Sequence, residues 1–201
     1  MKFIIGKKLN MTQIFDEGGK VVPVTLVEVD PCTVTQIRTE EKDGYKAVQI
    51  GSGHKKNINK PEKGHLKDLG QFLFLKEFRT DAENYKVGDK IEISTFAVGD
   101  GVNVSGISKG KGFQGVVKRH HFSGGPGSHG QAHNLRSPGS IGAGGVQRVF
   151  KGRRMAGRTG SDRVFTKGLK VVKVDAENGI LAISGALPGR KGTLVEIVSQ
   201  K

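Results

Sequence analysis

Between Asp100 and Asp162 the chain runs for 61 residues without a carboxylate, and no other feature constrains it as sharply. From Gly106 to Arg163 there are 11 Lys or Arg against one acid, Asp162, for a net +10 in 58 residues. The other 143 residues hold 22 bases and 18 acids, only +4 of the chain's +14. The gap removes the intramolecular partners that would neutralise those bases, so the negative charge is expected from a polyanion partner. The same stretch has 15 of the chain's 31 Gly and only 14 apolar residues. So lean a segment cannot bury enough apolar surface to offset its ordering entropy. It is expected to be a long basic extension, poorly ordered alone and ordered on its partner.

The flanks read as β structure. Met11 to Phe15, Val21 to Val29, Thr33 to Arg38 and Tyr45 to Ile50 alternate or carry β-branched residues, with turns at 16–19 and 39–44. Pro61 and Glu62 open a short helix, expected near Lys63 to Leu69. Phe72, Phe74 and Phe78 give a period-two stretch, and Val87-Gly88-Asp89 turns into a strand over Lys90 to Ile93. Leu169 to Val174 and Ile180 to Ser184 flank a Gly-containing turn, and Thr193 to Val198 closes the chain. Many short strands and little helix predict a mainly β fold. The expected form is a small β-barrel with a short helix and a long, irregular, basic Gly-rich extension inserted mid-chain. Residues 1–105 would form the first part of the barrel, 106–163 the extension, and 164–201 the completing strands. The 38 C-terminal residues are too few to fold alone, so both flanks are expected to share one core.

Several classes are disfavoured. No apolar run is long enough for a transmembrane helix, and Met1 to Asn10 has no core of signal-peptide length. A single Cys, Cys32, excludes an intramolecular disulfide and suggests a reducing compartment. Gly110-Lys111-Gly112-Phe113-Gln114-Gly115 matches G-x-G-x-x-G, but a dinucleotide fold needs a long helix after it and an acid about 20 residues on. Neither is present, so a nucleotide-cofactor oxidoreductase is the weakest alternative, and no cofactor is expected. An architectural DNA-binding protein is a second alternative. His120, His121, His129 and His133 cluster without Cys or acid nearby, which suits hydrogen bonding or stacking on RNA better than a metal. No acid–base dyad can be built within the segment, which points away from an enzyme. With no Trp and 6% aromatics, recognition should lean on phosphate contacts and close backbone approach. The residues expected to carry it are Lys109, Lys111, Gly112, Lys118, Arg119, His120, His121, His129, Arg136, Arg148, Lys151, Arg153, Arg154, Arg158 and Arg163.

Longer motifs narrow the reading. Phe96, Asn103, Gly106, Ser108, Gly110, Lys111, Gly112, Gly115 and Arg119 match the signature of the universal large-subunit ribosomal protein L-three family in spacing and type. Ile5 to Phe15, Pro138 to Gly142, Val149 to Gly157 and Gly185 to Gly189 also resemble that family, in its bacterial or organellar form. The resemblance implies a structural rRNA-binding protein of the large ribosomal subunit, on a cytoplasmic or organellar ribosome. Such a protein binds near the 3′ end of large-subunit rRNA, nucleates assembly and threads its extension toward the peptidyl transferase centre. It implies ribosomal proteins L-fourteen and L-nineteen as neighbours. The extension tip would be Ser137, Pro138, Gly139, Ser140, Ile141, Gly142, Ala143, Gly144, Gly145 and Gln147. Many bacterial members have a methylated Gln directly after Ser-Ile-Gly; Ala143 stands there in this chain, so that modification should be absent.

Overall fold

The computed structural model describes residues 1–80 and 85–200, leaving aside the side chain of Asp68. The fold is mainly β. Its strands are β1 (Phe3–Phe15), β2 (Val21–Glu28), β3 (Cys32–Arg38), β4 (Ala47–His54), β5 (Phe72–Phe78), β6 (Lys90–Ile91), β7 (Gly101–Ile107), β8 (Gly112–Gln114), β9 (Gly157–Thr159), β10 (Arg163–Asp175), β11 (Ile180–Ser184) and β12 (Leu194–Ser199). The helices are α1 (Glu40–Asp43), α2 (Lys60–Leu66) and α3 (Val116–His120). By proximity the chain divides into two units, Met1–Ile107 with Arg163–Lys201, and Ser108–Asp162.

In the first unit six antiparallel strands pair in the order β1-β12-β7-β10-β11-β2, and β2 returns to β1, so the sheet closes on itself. β12, from the end of the chain, lies between β1 and β7. β10 lies between β7 and β11. Neither flank can therefore complete the sheet without the other. Register shifts at Lys8/Met11, Thr166/Leu169 and Val171/Lys173 mark bulges, which add the local bend that a closed sheet requires. β3 to β6 form a second sheet of order β5-β4-β3-β6.

One apolar core serves both sheets. Phe3, Ile4 and Ile5 of β1 are all buried, so this end of the strand is covered on both faces. They share a cluster with Val104, Leu181, Ile183, Val195 and Ile197 of the closed sheet and with Val34, Val48, Ile50 and Phe78 of the second sheet. Phe3 and Phe78 stack with centroids 4.8 Å apart. Burial also raises the pKa of the Cys32 thiol, since desolvation disfavours the thiolate.

The structure departs from the sequence reading in several places. The β3–β6 strands, expected as part of one barrel, form a sheet of their own. Residues 40–43 make one helical turn, α1, ended by Gly44 at φ 76°, where only a turn was expected. α2 starts at Lys60, one residue before the Pro61 expected to open it, and gives way after Leu66 to a 3₁₀ turn at Lys67–Leu69. Asn59 caps it reciprocally with Glu62, and that capping box fixes the earlier start. β4 runs on to His54 because β5 pairs with it as far as Phe72. β6 stops at Ile91 and a 3₁₀ turn, Ile93–Thr95, follows. β10 begins at Arg163, six residues before the expected strand, because its first residues pair with β7 through Ile107. Gly106, Ile107 and Arg163 therefore lie in the closed sheet.

Candidate nucleic-acid interface

The unit Ser108–Asp162 is built with little regular structure. β8 and β9 form a two-stranded ladder that pairs Gly112 with Thr159, Phe113 with Arg158 and Gln114 with Gly157. Two backbone bonds extend it: Lys111 N–H to the Thr159 carbonyl and Ser108 N–H to the Asp162 carbonyl, both 2.9 Å. Gly160 sits at φ 78°, and a Cβ there would lie 2.2 Å from the Lys109 carbonyl oxygen, so this close turn requires glycine. α3 follows β8 for five residues, with Lys118, Arg119 and His120 in its last turn, where cations complement the helix dipole. His121 ends it in the left-handed conformation at φ 60°.

The G-x-G-x-x-G stretch therefore lies on a three-residue strand and the cap of a five-residue helix. A dinucleotide site needs a buried strand and a full crossover helix around that motif. Residues 122–156 carry no helix or strand. Of the whole unit only Val116 is buried.

All ten Lys and Arg from Lys109 to Arg158 are exposed, and none pairs with a carboxylate among the described residues. Two of them also brace the backbone. Arg119 donates from Nη1 to the Met155 carbonyl at 2.9 Å, and Arg153 donates to the Ser140 carbonyl. His120 Nε2–H donates to the same Met155 carbonyl at 3.0 Å, which requires the proton on Nε2. Its ring lies 6.0 Å from that of Phe122. These bonds tie the C-terminal end of α3 to the residues entering β9. His121 and His129 are exposed, both at positive φ, and His133 is also exposed. Among the described residues no group of three or more His, Cys, Asp or Glu is placed to hold a metal ion.

The tip residues Pro138 to Gln147 are all exposed, and Ser137 is half-buried. Ser137 donates from N–H and Oγ to the Asn134 carbonyl, both at 3.2 Å, and Ser140 Oγ donates to the Gly142 carbonyl at 2.7 Å. Behind them is an open cleft of about 730 Å³ lined by His121 to Gly125, Asn134 and Ser137 to Ser140. Gly124 sits at φ 74°, where a Cβ would strike the Leu135 carbonyl oxygen at 2.2 Å.

Arg163 differs from the other bases. It lies in β10, and its guanidinium pairs with the Glu196 carboxylate of β12 and donates to Ser105 Oγ of β7 at 3.2 Å. It also covers the Phe165 ring at 4.9 Å. Its charge is met in part within the first unit, which sets it apart from the ten bases from Lys109 to Arg158. Sequence reasoning also undervalued aromatics. Phe113 is 76% exposed opposite Arg158, and Phe150 is 58% exposed beside Lys151. Counting aromatics hid this, because a count does not say which ones stay outside.

Comparison with known proteins decides the family. A family model described as "Ribosomal protein L3" matches residues 75–197. The large ribosomal subunit protein uL3 of Chloroherpeton thalassium is 49% identical over 208 residues, covering all of both chains. The chain belongs to the ribosomal protein L3 family. Two further family members, both named large ribosomal subunit protein uL3, match closely. That of Herpetosiphon aurantiacus is 49% identical over 96% of this chain and 94% of its own. That of Prochlorococcus marinus strain MIT 9312 is 51% identical over 96% of this chain and 92% of its own. The family is one of structural proteins rather than enzymes.

Proposed function

We propose that the protein is a structural constituent of the large ribosomal subunit and binds large-subunit rRNA. The observation that carries this reading is the unit Ser108–Asp162, with ten exposed bases that have no acid partner among the described residues. Buried RNA phosphates are the negative charge such a unit fits, and its glycines admit the sugar–phosphate backbone at close range. On this reading the six-stranded closed sheet is the small barrel of the family. The unit Ser108–Asp162 is the basic extension, which reaches toward the peptidyl transferase centre with Ser137 to Gln147 at its tip. Lys109, Lys111, Lys118, Arg119, Arg136, Arg148, Lys151, Arg153, Arg154 and Arg158 contact phosphates, while His120, His121 and His129 hydrogen-bond or stack on bases. The protein binds near the 3′ end of the rRNA early in assembly, beside ribosomal proteins L-fourteen and L-nineteen, on a cytoplasmic ribosome. No helix among the described residues is long and apolar enough to cross a membrane.

The test is binding to structured large-subunit rRNA across a salt series, with duplex DNA as competitor. A steep fall of affinity with salt, flattened by neutralising several of these bases and preferring rRNA over DNA, is the expected result. A slope near zero, or equal competition by DNA, would refute it.

A further inference from the structure

The near-balance of the first unit conceals a second uncompensated cluster. No acid occurs from Met1 to Phe15 or from Asn178 to Val195, and the pairing of β1 with β12 brings these two stretches together. Between β11 and β12 lies the loop Gly185 to Thr193, and it is held at every turn. Gly185 N–H bonds the Pro23 carbonyl at 2.8 Å, and Thr25 Oγ1 donates to the Gly185 carbonyl at 2.6 Å. Lys8 Nζ donates to the carbonyls of Leu187 (2.7 Å) and Gly189 (3.1 Å). Gly192 N–H bonds the Lys8 carbonyl at 2.7 Å, and Lys8 N–H bonds that of Thr193 at 2.9 Å. Arg190 N–H reaches Thr193 Oγ1 at 3.0 Å, and Thr193 N–H returns to the Arg190 carbonyl at 3.1 Å. Leu187 is buried in the core, and Pro188 packs toward Gly106.

This framework presents two exposed cations, Arg190 and Lys191, on a backbone that cannot collapse around them. Neither has a carboxylate partner among the described residues. Lys7 comes close to Gly192, and its one carboxylate partner among the described residues is Glu28, at 4.0 Å. Gly189 sits at φ 91°, with Thr193 where a Cβ would be, and Gly192 sits at φ 84°. Gly189 is buried against Thr193, while Gly192 leaves exposed backbone beside the cations. Ala186 is the one exposed apolar residue of the loop and Pro188 is half-buried, so the surface lacks the large apolar centre that a protein partner would bury. Exposed cations on a braced backbone, with the exposed Gly192 beside them, suit a phosphate backbone, which needs charge and close approach.

We propose that the Leu187–Thr193 loop, with Lys7, is a second RNA-backbone contact carried by the closed sheet, separate from the glycine-rich segment. The proposal rests on the rRNA-binding reading above. The test uses the full chain with structured large-subunit rRNA and compares the slope of log affinity against log salt. R190Q/K191Q should lower that slope by about 1.8, two phosphates at about 0.9 each, with an unchanged melting temperature. The charge-keeping R190K/K191R should retain the wild-type slope. K151Q/R154Q, in the other unit, reports on the rRNA reading itself. If K151Q/R154Q flattens the slope and R190Q/K191Q does not, the loop proposal is overturned while the rRNA reading stands. If wild-type binding shows no salt dependence, both fall.

Discussion

Glu196 is the place where removing one carboxylate should separate charge pairing from hydrogen bonding. Its side chain is 10% exposed and gathers three donors: Ser105 Oγ at 2.8 Å, the Arg163 guanidinium, and Lys76 Nζ at 3.1 Å. The two bases are 52% and 44% exposed, so water replaces their partner and each pair is worth about 0–1 kcal/mol. Ser105 is 4% exposed, and leaving its hydroxyl without an acceptor costs about 1–3 kcal/mol. Glu196→Ala should therefore lose about 1–5 kcal/mol, the larger share of it through Ser105. Glu196→Gln keeps an acceptor for Ser105 and should lose only about 1 kcal/mol, the worth of the two half-exposed pairs. Urea unfolding followed by circular dichroism resolves that difference. The reasoning is refuted if Gln costs as much as Ala, since charge would then dominate. It is refuted equally if Ala costs under about 0.5 kcal/mol, within the range of an ordinary surface change.

Other sites give independent tests. Leu181 is fully buried in the shared core, so Leu181→Ala should cost about 2–5 kcal/mol, seen by calorimetry as a fall of roughly 4–20 °C. The Ala97 N–H and then the Lys2 ammonium hold the Asp100 pKa below its ordinary value. That stabilisation is present above the unfolded pKa and lost as pH falls through the lower folded one. Asp100→Asn should thus be less stable than wild type near neutrality, with the urea midpoints converging in acid. Gly160→Ala should disrupt the β8–β9 ladder, because its Cβ meets the Lys109 carbonyl and its φ is positive. Hydrogen exchange should speed up at Lys111 while amides of β12 stay protected; unchanged exchange at Lys111 would contradict the geometry.

How much of this was legible in the sequence depends on how local the signal is. The turn between β10 and β11 was, because Asp175 Oδ1 accepts from Asn178 N–H within four residues and Gly179 takes φ 64°. The acid-free stretch was also legible, since charge composition needs no fold to be counted. The division into a closed sheet and a second sheet was not. It depends on β12 lying between β1 and β7, and no local pattern encodes that pairing of chain ends. The first residues of β10 were missed for a related reason. Val164 and Phe165 are exposed, so they show no buried-and-exposed alternation, and only the β7 partner makes them strand. Within the candidate site, sequence grouped Arg163 with the free bases because its acid, Glu196, is 33 residues away and reaches it only through the shared partner β7.

The same geometry explains why two different designs of cationic surface can coexist in one chain. In the unit Ser108–Asp162 the glycines come with almost no core, one buried Val116, so the shape there is held by backbone turns and by Arg119 and Arg153 bonding carbonyls. Guanidinium–carbonyl bonds leave the positive charge uncancelled, whereas a carboxylate in the same place would have neutralised it. In the first unit the apolar core does the holding, and there Arg163 is neutralised by Glu196 without loss to the surface, because Arg190 and Lys191 stand on a loop anchored by Leu187. Excluding acids is therefore needed only where no core fixes the bases: a base on a core-anchored loop can tolerate acids elsewhere in its unit, but a base in a coreless segment would pair with any nearby acid and fold back on it.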